Sequence, residues 1–166
     1  MWICRKIVLA IGLSLVVVAA RIQAAEHGRP EDKHDHHYHL NMAEVFVGGI
    51  YEDGEHGSED GFAVGLTYER RFSKLLGVGG FCEYAFGDFD SWAIGVPLFI
   101  HPHKGWRFAI APGMEHRDSD NEFLFRTGVA YEFELSERWA MIPEFNVDFV
   151  DGDESYAVGV SFGFGF

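Results

Sequence analysis

The chain is short of cysteine, of basic residues and of long apolar runs, and each shortage removes a class of protein. Two cysteines occur in 166 residues. Cys4 lies in a segment expected to be cleaved, so Cys82 would stand alone, and one thiol makes no internal disulfide. The mature fold must therefore hold without covalent staples. Thirteen Lys and Arg face 26 Asp and Glu, for a formal charge of −13. That balance excludes a nucleic-acid partner, because phosphate binding needs clustered basic side chains. The uncharged apolar stretch from Ile7 to Ala20 falls short of the ~20 residues of a helical membrane span. From Ala43 onward no segment carries a helical stripe.

What is present begins with an export pattern. Arg5 and Lys6 precede that apolar stretch, and small residues follow at Ala19, Ala20, Ala24 and Ala25. Residues 1–25 are expected to be a signal peptide cut between Ala20 and Glu26, although Arg21 and Gln23 interrupt the small-residue pattern. The alternative is a retained helix. No Cys ends the apolar stretch, so nothing supports a lipoprotein anchor. Residues 26–41 read as a flexible His-rich tail.

The remainder, residues 42–166, alternates with period two, as strands do when successive side chains face opposite ways. Strands are expected near Ala43–Tyr51, Phe62–Arg71, Leu75–Phe86, Trp92–Ile100, Trp106–Glu115, Glu122–Leu135, Trp139–Val150 and Ser155–Phe166. The last one is the clearest. Val160, Phe162, Phe164 and Phe166 share one face, while Gly159, Ser161, Gly163 and Gly165 share the other. Elsewhere the bulky face carries residues such as Val45, Leu66, Val78, Trp92, Ile110, Phe123 and Phe149, and the opposite face carries Gly77, Gly79, Ala109, Ala111, Gly113, Gly128 and Ala130. A soluble lipocalin-like barrel would give that second face Thr, Lys, Glu and Ser. Small side chains suit the narrow interior of an eight-stranded closure, and the bulky face suits hydrocarbon. The fold class expected is all-β: an eight-stranded antiparallel up-and-down transmembrane β-barrel. Its mean hydropathy of −0.03 looks soluble only because the two faces cancel. Tyr68, Trp106, Tyr131 and Trp139 would form one interfacial belt, and Tyr51, Tyr84, Trp92 and Tyr156 the other.

Pro97, Pro112 and Pro143 fall inside strands, where bulges are expected. The turns at Arg71–Lys74, His101–Gly105 and Ser136–Arg138 are short and basic, whereas Tyr51–Gly61, Gly87–Asp90, Asp118–Asn121 and Asp151–Glu154 read as acidic loops. An even strand count puts both chain ends on one side, the periplasmic one, with the acidic loops outward.

Glu44, Glu69, Glu83, Arg107, Glu115, Arg126, Glu132, Glu144 and Asp148 fall on the inward face together with Asn146. Seven carboxylates against two arginines leave an excess of negative charge, and charge inside a membrane span is a functional candidate. Two readings follow: a salt-bridged plug, with the arginines clamped by carboxylates, or a narrow cation-preferring path. A third reading is metal binding by the tail through His34, His36, His37 and His39, with His27 nearby. The acidic loops could attract divalent cations but lack a full calcium-loop pattern. A last alternative is a lipid-modifying barrel enzyme, whose catalysis would need a nucleophile beside a base. His56, His101, His103 and His116 all read as loop or turn residues, so no enzyme and no cofactor is expected.

The segments Gly95-Val96-Pro97-Leu98, Ala111-Pro112-Gly113-Met114-Glu115 and Pro143–Val150, with the terminal Phe166, resemble small bacterial outer-membrane β-barrels. The pattern is similar to that of the transmembrane domain of outer-membrane protein A and of similar porin-like barrels. That resemblance implies the outer membrane of a Gram-negative bacterium, with lipid and lipopolysaccharide as surroundings. It also implies insertion by the barrel-assembly machinery, which would read the closing strand Val160, Phe162, Phe164, Phe166. It implies no substrate.

Overall fold

The computed structural model describes residues 39–54, 57–87 and 89–166. The expected signal peptide and the tail histidines His27, His34, His36 and His37 lie outside the described residues, as do His56 and Asp88.

Eight antiparallel strands follow one another around a closed barrel. They are β1 (Asn41–Gly54), β2 (Gly57–Arg71), β3 (Leu76–Gly87), β4 (Ser91–Gly95 resuming at Leu98–Ile100), β5 (Trp106–Arg117), β6 (Asp120–Tyr131 resuming at Phe133–Glu134), β7 (Trp139–Val150) and β8 (Asp153–Gly165). Closure comes from β1 against β8, with Met42 opposite Gly165 and Glu52 opposite Ser155. The seam is finished where the Asn41 amide donates to the Phe166 carbonyl at 3.1 Å and the Phe166 amide returns the bond at 3.0 Å. We call this the terminal pole. The β1–β2, β3–β4, β5–β6 and β7–β8 connections form the far pole.

Three expectations need correction. The first concerns the prolines, which introduce no bulge. Phe81 faces Gly95 and Val78 faces Leu98, so two residues separate these pairs on each strand and the register never shifts. β4 is interrupted at Val96-Pro97 because proline has no N–H to donate. The Gly79 amide still reaches the Pro97 carbonyl at 3.0 Å, and the Val96 amide reaches the Pro112 carbonyl at 3.0 Å. Each site therefore keeps one bond of a reciprocal pair and loses the other. Pro143 stays in register opposite Val160. Second, most of the stretch 51–61 read as a loop is strand, since the β1–β2 ladder runs out to Gly54 opposite Gly57. Third, the two loops read at Asp118–Asn121 and Asp151–Glu154 are two-residue turns. Asp118 and Ser119 take φ of 50° and 80°, and Asp151 and Gly152 take 47° and 96°. Positive φ at both central residues matches the natural twist of a hairpin.

The outer wall is apolar and open: Leu66 is 64% and Phe123 67% exposed, with Val45, Trp92, Ile94, Phe108 and Phe162 alongside. Rings pair near both poles, Trp106 with Tyr131 and Trp139 with Phe164 at one, Tyr84 with Trp92 at the other.

The inward glycines and alanines are not simply filler for a narrow bore. Phe46 and Phe99 are buried and point inward, as does Phe81 beneath Arg126, which the emphasis on small inner residues did not anticipate. Each ring rests on glycine. A Cβ at Gly48 or Gly159 would strike Phe46, one at Gly95 would strike Phe81, and one at Gly79 would crowd Phe99. The same device seats two polar groups, the Glu69 carboxylate over Gly77 and the Asn146 amide over Gly128.

Candidate functional site: the charged lumen

Arg126 projects from β6 between β3 and β7. Its Nε and Nη2 each donate at 2.6 Å to the two oxygens of Asp148, while Nη1 and Nη2 donate at 3.2 and 2.8 Å to those of Glu83. Its guanidinium also lies 4.4 Å from the Phe81 ring centroid. Two-fork pairing of this kind uses the planar geometry that distinguishes arginine from lysine.

Arg107, on β5, forms a second layer nearer the terminal pole. It holds both oxygens of Glu44, one of them at 2.9 Å from Nη2, and lies over Phe99 at 5.1 Å. Glu144 and Glu69 stand farther off, at 3.8 and 3.9 Å. Glu144 accepts a hydrogen bond from the Ser161 hydroxyl. A cavity of about 40 Å³ separates the two layers, bordered by Phe81, Phe99, Arg107, Arg126, Glu144 and Asn146. Its lining is mostly apolar, but Arg107, Arg126, Glu144 and Asn146 border it with polar groups, and it is large enough for a few waters.

At the terminal pole the network contains two residues that sequence reasoning placed in turns. Arg71 is buried and pairs with both Glu69 and Glu132, donating from Nε to Glu69 at 3.3 Å. His101 turns inward, with Nε2 2.7 Å from the Glu69 carboxylate and Nδ1 3.9 Å from that of Glu132. Parity carried the missing signal. Arg71 lies two positions beyond Glu69, and His101 two beyond the inward Phe99, so each continues its strand's inner face. His116 is likewise a strand residue, facing outward on β5 and bonded to Asn121 at 3.0 Å. At the far pole Arg117 pairs with Glu59, lies 3.9 Å from Glu52 and sits 5.3 Å from the Phe89 centroid. Glu115 occupies the inner face of β5 at the same level, opposite Ala93.

Glu44, Glu69, Glu83, Arg107, Arg126 and Asp148 are buried within the barrel together with Arg71, which adds a positive charge to the set. His39, of the tail set, directs Nε2 at the Glu137 carbonyl. Val160, Phe162 and Phe164 of β8 and Phe166 just beyond it face outward, and Phe164 packs on Trp139 with centroids 5.0 Å apart. Among the described residues, His39, His101 and His116 hydrogen-bond to a carbonyl, a carboxylate and an amide oxygen, none to a serine.

No protein-family model matches the sequence, and no curated protein matches it. Solved structures do match. The chain is similar to Neisserial surface protein A at 9% identity, with a TM-score of 0.53 over 76% of this chain and 97% of that one. It is similar to the N-terminal β-barrel domain of OprF from Pseudomonas aeruginosa at 13% identity and a TM-score of 0.54, over 76% and 98%. Ail, the attachment invasion locus protein of Yersinia pestis, matches at 11% identity and 0.52, over 76% and 99%. The fold is that of the small eight-stranded outer-membrane barrels. At such identities the likeness extends to architecture and no further.

Proposed function

We propose that this chain is an integral outer-membrane β-barrel, without enzymatic activity, with a charged lumen and a structural or narrow porin-like role; in the first reading a salt-bridged plug closes that lumen and the role is structural. The observation that carries this reading is the inversion of the wall. Open apolar side chains cover the outside, while Glu44, Glu69, Glu83, Arg107, Arg126 and Asp148 are buried within. Buried charges in a membrane span persist only when paired, and those of Arg107 and Arg126 are. An eight-stranded bore is also just wide enough for side chains to fill. Lipid and lipopolysaccharide would contact the outer wall, and the terminal strand would serve the barrel-assembly machinery.

The second reading, a narrow cation-preferring path, is favoured by the carboxylate excess and by the cavity between the arginine layers. Planar-bilayer recording of the detergent-folded protein separates the two. The plug predicts no unitary conductance in the parent protein or in Arg126→Ala, whereas a path predicts cation-selective steps that change in Arg126→Ala. Membrane placement itself is tested by fractionation. Recovery of the mature protein in a detergent-free soluble fraction would end both readings.

A further inference from the structure

We propose that Glu69, His101 and Glu132 form a binding site for a divalent transition-metal cation of the zinc class at the terminal pole of the lumen. Among the described residues these three supply one imidazole nitrogen and two carboxylate oxygens that all lie within 4.8 Å of one another. An imidazole with two carboxylates is a ligand set that suits zinc and its neighbours better than calcium or magnesium. Tetrahedral zinc, with bonds of about 2.0–2.2 Å, sets its ligand atoms roughly 3.4 Å apart. Glu69 stands 2.7 Å from His101 Nε2 and Glu132 3.9 Å from Nδ1, so an ion held by one ring nitrogen requires a small turn of the imidazole or of Glu132.

The ligands are positioned by the backbone of three separate strands. Glu69 is fully buried over Gly77, where no side chain competes for its space. His101 follows the end of β4, its amide bonded to the Leu75 carbonyl at 2.8 Å. Glu132 occupies the one-residue break in β6, its amide bonded to the Gly105 carbonyl at 2.7 Å. Charge also favours a cation. Among the described residues, Glu44, Glu69, Glu132 and Glu144 share this layer with the arginines Arg71 and Arg107, an excess of two acids. Arg71 is the competitor, because it already spans Glu69 and Glu132. A bound ion pushes that guanidinium toward the mouth, and removing it strengthens binding.

The test is calorimetric titration of the full chain, folded in detergent, with Zn²⁺ alone. The background carries Ala at positions 27, 34, 36, 37 and 39, so the tail contributes no imidazole. The expected result is one ion per barrel. His101→Ala and Glu132→Gln should each weaken binding about tenfold or more, and Arg71→Ala should strengthen it by about tenfold. Zn²⁺ should raise the Tm of the background protein and leave that of Glu132→Gln unchanged, which separates a lost ligand from a lost fold. No heat in the background protein overturns the site. So does an affinity in His101→Ala and Glu132→Gln that matches the background protein's, or binding abolished only by His103→Ala in the exposed turn. None of these outcomes depends on whether the lumen conducts.

Discussion

Arg107 and Arg126 are both buried, both lie over a phenylalanine ring and both face acids, yet their surroundings differ in completeness. Arg126 engages all four oxygens of Glu83 and Asp148 and so ties β6 to β3 and β7. Arg107 is fully bonded to Glu44 only, with Glu69 and Glu144 held at 3.9 and 3.8 Å. The first layer is a closed clamp. The second has spare acceptors, and the Arg71–His101 cluster continues it to the pole. Within one bore, then, rigidity belongs to the Arg126 layer, and the capacity to rearrange or take up a cation belongs to the Arg107 layer.

The largest effect expected from this contrast comes from removing the clamp. Arg126→Ala leaves the Glu83 and Asp148 carboxylates facing one another in a buried space, at a cost of about 3–5 kcal/mol. Urea unfolding of the detergent-folded barrel would measure it. Replacing the whole group by apolar and amide residues (Arg126→Met, Glu83→Gln, Asp148→Asn) should recover most of that loss, because no unpaired charge remains. A loss as large in the triple variant would mean that packing on Phe81, not charge, holds the layer.

Glu44→Gln tests the open layer and should cost less, about 1–3 kcal/mol, because Arg107 can turn to Glu69 or Glu144 while the amide oxygen still accepts. Equal costs for Glu44→Gln and Arg126→Ala would erase the distinction between the layers. Gly95→Ala probes the ring beneath Arg126. Its methyl group would meet the Phe81 ring, so a loss of about 1–3 kcal/mol is expected, relieved in a Phe81→Leu background. The coupling energy from that double-mutant cycle reports how tightly the ring is held.

Much of this architecture was legible because each wall residue has one of two faces, and period two distinguishes them. The terminal strand is the best case: its bulky set and its small set separate without exception from Gly159 to Phe166. The same logic found Glu83, Arg126 and Asp148 but not their geometry, since partner choice across a bore depends on stagger between strands. It failed where the apolar member of the alternation disappears. The β1–β2 hairpin beyond Tyr51 is charged on both faces, so nothing in Glu52 to Asp60 advertises a strand, although the ladder continues there. Arg71 and His101 were lost for a related reason, since both adjoin polar turns whose composition outweighed their parity. Phe46, Phe81 and Phe99 were missed because inner aromatics violate the simple inside–outside division. Only their glycine seats on neighbouring strands make room for them, and that pairing is a property of register.

The smallest effect is also the most local, and it bears on why the prolines are tolerated. Pro112 faces Val96 across the β4–β5 seam, where the Val96 amide already reaches the Pro112 carbonyl. Pro112→Ala supplies the reciprocal N–H, a gain of about 0.5–1.5 kcal/mol. It also frees the unfolded chain, which offsets about 0.4–1 kcal/mol of that gain. The net stability should therefore barely move, and unfolding alone would be a poor detector. Hydrogen exchange followed by NMR is better suited, because the substitution creates one amide that did not exist before. If the seam keeps its register as drawn, the new amide at position 112 should exchange as slowly as the other ladder amides of β5. Rapid exchange there would show that the interruption in β4 is a real opening in the wall, and that opening would lie on the inner side beside Pro97 and the cavity between the two arginine layers.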